Sequence, residues 1–180
     1  MFWILLFFSL LGFRAQADDL FFMEPYVGFS KLEVQAVETD YKDISDNFII
    51  GVRSGVKIAK SILLGLDYHA GGPYKFGTLL NRGSWSTKSL GAVIGVDYKV
   101  IRFWYGVYPN TEIDDTVNKL TYKGNAHKYG FSLALNQKLR VNIELMNYEV
   151  SAPQMNSPTS QSVTYKPKET NAYISVPVDF

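Results

Sequence analysis

Eight charged residues share one phase of a period-two pattern and could do chemistry with one another. They are Arg53, Lys57, Asp67, Asp97, Arg102, Arg140, Glu144 and Asp179. Brought together away from water, such groups must pair, because an isolated buried charge is very costly and only full hydrogen bonding offsets it. The other groups suited to chemistry are sparse. The two histidines are His69 and His127, and Ser132 and Ser175 lie on the same phase as the charges. Nucleophilic catalysis needs a serine within reach of a base that a third group orients. None of these spacings supplies that, so no catalytic residue is assigned and both histidines read as polar rim residues. Glu112, Asp114 and Asp115 are close enough in the chain to hold a divalent cation. Such a run is ordinarily a solvated loop, and no metal or other cofactor is assigned. Cysteine is absent, which excludes disulfides and thiolate metal sites.

The elements that position the charges alternate strictly. Residues 171–180 set Ala172, Ile174, Val176, Val178 and Phe180 against Asn171, Tyr173, Ser175, Pro177 and Asp179, a strand with one apolar and one polar face. Between 48 and 58, Phe48, Ile50, Val52 and Val56 oppose Gly51, Arg53, Gly55 and Lys57. The same alternation recurs near 62–69, 89–99, 101–108, 120–135 and 139–146, and the first strand runs from about 21 to 34. In that first strand Met23, Val27 and Phe29 take the apolar side, and Glu24, Tyr26, Gly28 and Ser30 the other. Short connections near 59–60, 100 and 136–138 alternate with longer ones at 36–46, 70–84, 109–118 and 151–170. Eight antiparallel strands with every long loop at one end is the arrangement of an up-and-down barrel.

Composition decides which face meets which solvent. Mean hydropathy is −0.04, too low for a bundle of membrane helices, yet a barrel's two faces cancel to such a value. The apolar face carries almost no charge through its centre, whereas glycines and ions share the other. An Arg or Lys facing lipid at mid-bilayer costs roughly 2–4 kcal/mol. Turning this sheet the wrong way would expose several at once, so the ions belong inside and the apolar face outside. The glycines are expected to thin the inner wall for long charged side chains. Tyr26, Tyr68, Trp85, Tyr98, Tyr105 and Tyr129 fall where interface aromatics would. A lipocalin-like barrel, apolar within and wet without, is the competing arrangement. The charge balance, 18 Lys and Arg against 17 Asp and Glu without a basic stripe, argues against nucleic acid.

The final strand ending at Phe180, and the segment from Tyr26 to Glu33, resemble the closing and opening strands of the small eight-stranded outer-membrane barrels of OmpA/OmpX type. The resemblance implies an all-β, eight-stranded antiparallel transmembrane barrel at residues 18–180, without a peptidoglycan-binding domain. It implies that Phe180 is the assembly signal read by the barrel-assembly machinery, with outer-membrane lipids and lipopolysaccharide as neighbours and a monomeric state. Residues 1–17, an apolar run followed by Ala15-Gln16-Ala17, read as a cleaved signal peptide, so the expected location is the bacterial outer membrane. Eight strands enclose a lumen that side chains fill. The expected role is therefore structural or surface-interacting, through the loops. Two alternatives stand beside it. One is a lipid A- or phospholipid-modifying outer-membrane enzyme. The other is a conduit for small hydrophobic molecules, similar to OmpW-type barrels, for which Trp104, Tyr108, Met146 and Tyr148 would have to line an apolar upper lumen.

Overall fold

Strand-forming alternation extends well beyond the stretches where it is clearest in sequence. The computed structural model describes residues 21–36, 42–59, 61–76, 84–117, 119–151 and 165–179. The signal-peptide segment 1–17, Phe180 and most of the longest loop lie outside these residues. The strands are β1 (Phe21–Ala36), β2 (Lys42–Ile58), β3 (Ile62–Lys75), β4 (Ser84–Tyr98), β5 (Ile101–Asp115), β6 (Leu120–Asn136), β7 (Leu139–Ser151) and β8 (Tyr165–Ser175). A two-residue piece, β9 (Val178–Asp179), continues β8 beyond Pro177 in the same register against β1. Proline has no N–H to give to the ladder, so the strand is interrupted there without slipping.

All pairings are antiparallel between sequence neighbours, and β1 pairs with both β2 and β8. The sheet is thus a closed eight-stranded up-and-down barrel in which each strand pairs on both sides, the way a membrane-spanning backbone is satisfied without helices. The short connections are tight. Tyr98 faces Ile101 across Lys99-Val100, and Asn136 faces Leu139 across Gln137-Lys138, where the Asn136 side chain accepts from the Lys138 N–H at 2.8 Å.

Several expectations need correction. Residues 109–115 are not loop but the upper part of β5, so Glu112 and Asp114 stand on a strand and Asp115 turns inward and is buried. Likewise β3 runs on to Lys75, β2 begins at Lys42, and β8 begins at Tyr165. The reason is that these polar extensions still alternate. Charge on their outward face masked them as loop. A bulge lies on β5, where register shifts against both neighbours around Pro109. Of the six aromatics placed at the interface, Tyr68, Tyr98, Tyr105 and Tyr129 do face outward, whereas Tyr26 and Trp85 are buried inside.

Strands of 14 to 17 residues in β1–β6 exceed the 9–11 that a tilted strand needs to cross the hydrocarbon. The outer surface shows where the surplus lies. From the short-turn end upward, Ile62, Leu64, Leu66 and Tyr68 on β3, and Phe103, Tyr105 and Val107 on β5, form an apolar belt. Above it the outward positions become Lys31, Lys42, Lys75, Lys88, Glu112, Lys123 and Lys168. The interior changes in the opposite sense. Ions fill it at belt height, while Leu32, Val34, Phe76, Trp85, Ile113, Tyr122 and Val150 pack together inside the collar. Sidedness therefore inverts along the axis. The arrangement argued from sequence holds in the belt, and the lipocalin-like arrangement holds above it.

Candidate functional site

The lumen at belt height is built from inward positions of all eight strands. At the short-turn rim, Lys57 pairs with Asp179, both partly exposed. One level up, Arg102 grips Asp97 with two parallel bonds, Nε to Oδ1 at 2.6 Å and Nη2 to Oδ2 at 2.9 Å, and also binds Glu24. Arg140 donates to Ser132 at 2.7 Å and lies 3.6 Å from Asp97. Ser175 donates to Glu24 and accepts from Asn142 at 2.8 Å.

The next level is wholly buried. Arg53 donates to Glu144 at 2.9 Å and to the Tyr173 hydroxyl at 3.0 Å, and lies 3.7 Å from Glu24 and 3.8 Å from Asp67. Lys128 reaches Asp67 at 2.8 Å and Glu144 at 3.3 Å. Tyr26 and Tyr108 both donate to Asp67, and Tyr173 donates to Glu144. The Arg53 guanidinium lies 3.8 Å from the centre of the Trp104 ring, a cation–π contact in a desolvated setting. Every cation here has a carboxylate partner and the carboxylates take hydroxyls as well, while Arg53 Nε and Nη1 and Glu144 Oε2 are held by ion-pair contacts at 3.3 to 3.8 Å without a hydrogen bond.

Glycine serves this lumen differently from the expectation. A Cβ on Gly130 would sit 1.9 Å from the Trp104 ring, and one on Gly51 would sit 2.3 Å from Tyr26. The glycines clear bays for aromatic rings laid flat on the wall, and the rings in turn floor the ions. The eight charges named from sequence are all found along the lumen, from the Lys57–Asp179 rim to Arg53 at its centre. Sequence reasoning left Glu24 and Lys128 out of the network although both sit on the inward phase. Glu169 joins the network from the start of β8, where exposed lysines on the outward face give the segment the look of a loop.

Glu169 anchors the third level. It accepts from Ser30 at 2.9 Å and from Tyr148, and Tyr74 donates to Ser30 at 2.7 Å. His69 lies between the levels, with Nδ1 3.2 Å from the Lys128 ammonium and Nε2 4.0 Å from Glu169. An ammonium only donates, so Nδ1 accepts. His69 is fully buried, opposite Ser89 in the β3–β4 register, where Ser89 accepts from Thr111 at 3.1 Å, and Ser132 and Ser175 are engaged at the lowest levels. His127 is on the outer wall, 2.6 Å from the Tyr105 hydroxyl. The structure thus keeps both histidines apart from both serines. Glu112 and Asp114 face outward against Lys123 at 3.0 Å and Lys88 at 3.5 Å, and Asp115 faces the other way. Among the described residues no group of three or more His, Asp or Glu is disposed to hold a metal ion.

Tyr108 and Met146 join the apolar filling above, together with Trp104 and Tyr148. These four were the candidates for an apolar conduit. They contribute to a packed cluster with Trp85, whose ring centre lies 5.4 Å from that of Phe76, edge-on, and 5.4 Å from that of Tyr122, tilted.

No protein-family model matches the chain, and no curated protein sequence matches it. Its fold does match solved structures. Neisserial surface protein A superposes with a TM-score of 0.52 at 14% identity, over 87% of this chain and 96% of that one. Ail, the attachment invasion locus protein of Yersinia pestis, gives 0.59 at 8% identity over 87% and 98%. The outer membrane protein OprG from Pseudomonas aeruginosa gives 0.53 at 12% identity over 91% and 98%. At such identities the likeness is one of fold, that of the small eight-stranded outer-membrane barrels.

Proposed function

We propose that the chain is a bacterial outer-membrane barrel whose lumen is sealed by its own side chains and whose work is done on its outer, loop-bearing end. The observation that carries this is the inversion of sidedness. An apolar belt encircles paired ions, and above it a charged collar encircles a mainly apolar plug that also holds the carboxylates of Glu169 and Asp115. A wall that projects beyond the bilayer with a solid interior is a platform for surface contacts. The eight-charge lumen network from Arg53 to Asp179, extended by Glu24, Lys128 and Glu169, is on this reading a stabilising core and not a site of turnover. The resemblance of residues 1–17 to a signal peptide supports the same location.

Three experiments test the reading. Membrane fractionation of cells expressing the full chain should place it in the outer membrane, with detergent-gel mobility that shifts on boiling. In planar bilayers the purified protein should show no steady conductance. Steady single-channel currents would refute the sealed lumen. An unchanged lipid A and phospholipid profile in cells with and without the protein is expected, and an altered one would favour the enzymatic alternative. The conduit reading has less support, because the aromatic residues it needs are packed against one another.

A further inference from the structure

One lumen carboxylate lacks what the others have. From the short-turn rim upward, Asp179 has Lys57, Asp97 and Glu24 share Arg102, Asp67 has Lys128, and Glu144 has Arg53. Glu169 is 1% exposed, and no Lys or Arg among the described residues comes within ion-pair distance of it. Its partners are neutral. Ser30 and Tyr148 donate to it, and the Tyr74 hydroxyl lies 3.4 Å away. His69, with Nε2 4.0 Å from Glu169 Oε2, is the nearest group that could carry positive charge. It is badly placed to do so. Its Nδ1 already accepts from the Lys128 ammonium, and an imidazolium would turn an N–H onto that ammonium. A buried carboxylate without a cation is costly. The third level is therefore short of one positive charge.

The neighbours of Glu169 are short of partners too. Asn171, the next inward residue on β8, is fully buried, and neither its Nδ2 nor its Oδ1 makes a hydrogen bond. It stands opposite Ser30 on β1, the serine that binds Glu169, and opposite Glu144 on β7, whose Oε2 also lacks a hydrogen bond. Thr87 Oγ1 is buried without a partner beside the Tyr74 and Tyr148 phenols. Orphaned buried polar atoms are rare in native interiors, and a group of them around one unpaired carboxylate calls for a cause. The surroundings limit what could satisfy them. Leu32 faces Glu169 across the β1–β8 ladder and belongs to the apolar packing above, and the Arg53–Lys128 level lies below. Whatever binds here is small and is enclosed as the barrel closes.

We propose that the third level of the lumen holds a single alkali cation. Glu169 is its counter-ion, and Asn171 Oδ1, Thr87 Oγ1 and the Ser30 hydroxyl are its neutral ligands. Hard cations take such oxygen donors, carboxylate and amide carbonyl among them. One carboxylate balances one charge. A divalent ion would leave a surplus beside Lys128 and Arg53, and no cluster of acids among the described residues offsets it. The inference goes beyond the surface role proposed above and does not depend on it.

The test uses the full mature chain folded into phosphatidylcholine vesicles in potassium, sodium or tetramethylammonium chloride. Equal ionic strength keeps screening of surface charges the same, and tetramethylammonium is too large for the enclosed level. A ligand held only by the native state raises its stability. The wild-type midpoint of urea unfolding is thus expected to be higher in potassium or sodium than in tetramethylammonium. Glu169→Gln keeps the shape, removes the counter-ion and should erase the difference. Thr87→Val should shrink it, and Glu112→Gln on the outer wall should leave it intact. Equal wild-type midpoints in the three salts overturn the proposal and would mean that water alone serves these groups. A difference that survives Glu169→Gln also overturns it, because the ion would then sit elsewhere. Where gel mobility shows that Glu169→Gln does not fold, Thr87→Val decides, and a full-sized difference in that variant overturns the site.

Discussion

At the scale of single residues, the lumen depends on mutual satisfaction more than on any one bond. Arg53 touches Glu144, Tyr173, Glu24, Asp67 and the Trp104 face. Arg53→Met keeps much of the bulk but leaves those carboxylates short of a cation, and should cost about 3–5 kcal/mol. Urea unfolding from lipid vesicles measures it, and a loss under 1 kcal/mol would mean water replaces the guanidinium. Gly130→Ala asks a different question, since the added methyl collides with the Trp104 ring. A loss of about 1–3 kcal/mol is expected from overpacking. Pairing it with Trp104→Leu should recover part of that loss, and a purely additive double variant would show that the two sites do not meet. Much of this was legible from phase alone, because period two sends Arg53, Asp67 and Glu144 to one side. Partner choice was not. It depends on the height of each residue on a tilted strand, which alternation does not encode, and so Lys128 went unmatched with Asp67.

The strands themselves show where alternation misleads. A polar extension such as 109–115 reads as loop when its outward residues are charged, although Thr111, Ile113 and Asp115 keep the inward phase. The belt was legible because lipid demands a uniform outer face. The collar was not, since its outer face meets water and looks like any loop. The short turns carry a local cost that sequence did reveal as tightness but not as geometry. Lys99 adopts φ +56°, a left-handed conformation that a residue with a Cβ reaches only at a cost of roughly 1–2 kcal/mol. Lys99→Gly relieves that cost and should raise the midpoint of urea unfolding, offset in part by the freedom glycine adds to the unfolded chain. An unchanged or lowered midpoint would show that the Lys99 side chain, 5.4 Å from the Tyr98 ring, contributes as much as the turn costs.

For the whole molecule the belt and the collar should respond oppositely to the same kind of substitution. Ile94→Arg puts a cation on the outward face of β4 within the belt, where the residue is 50% exposed and lipid would surround it. A loss of about 2–4 kcal/mol is expected if it lies near the midplane, measured by reversible unfolding from vesicles. Ser86→Arg, on the same strand and phase but up in the collar, should cost less than about 1 kcal/mol. Equal losses at the two positions would contradict the assignment of belt and collar. The fold class was readable from the sequence because eight strands, alternating loop lengths and an ion-bearing inner phase agree with one another. The solid upper interior was not, because Leu32, Val34 and Ile113 sit on the phase that carries charge lower down and only their height distinguishes them.

A cylinder that trades its inner and outer chemistry at a fixed level has a preferred depth. Sinking by one row would draw Lys31 and Lys88 into hydrocarbon, and rising by one row would lift Leu90 and Phe29 into water. Neither is cheap, so the protein cannot bob to suit its surroundings. In a bilayer of the wrong thickness the lipid must stretch or compress against the wall instead, at fractions of a kcal/mol per ångström. The barrel is in that sense a gauge, and it should gather where the membrane already fits it.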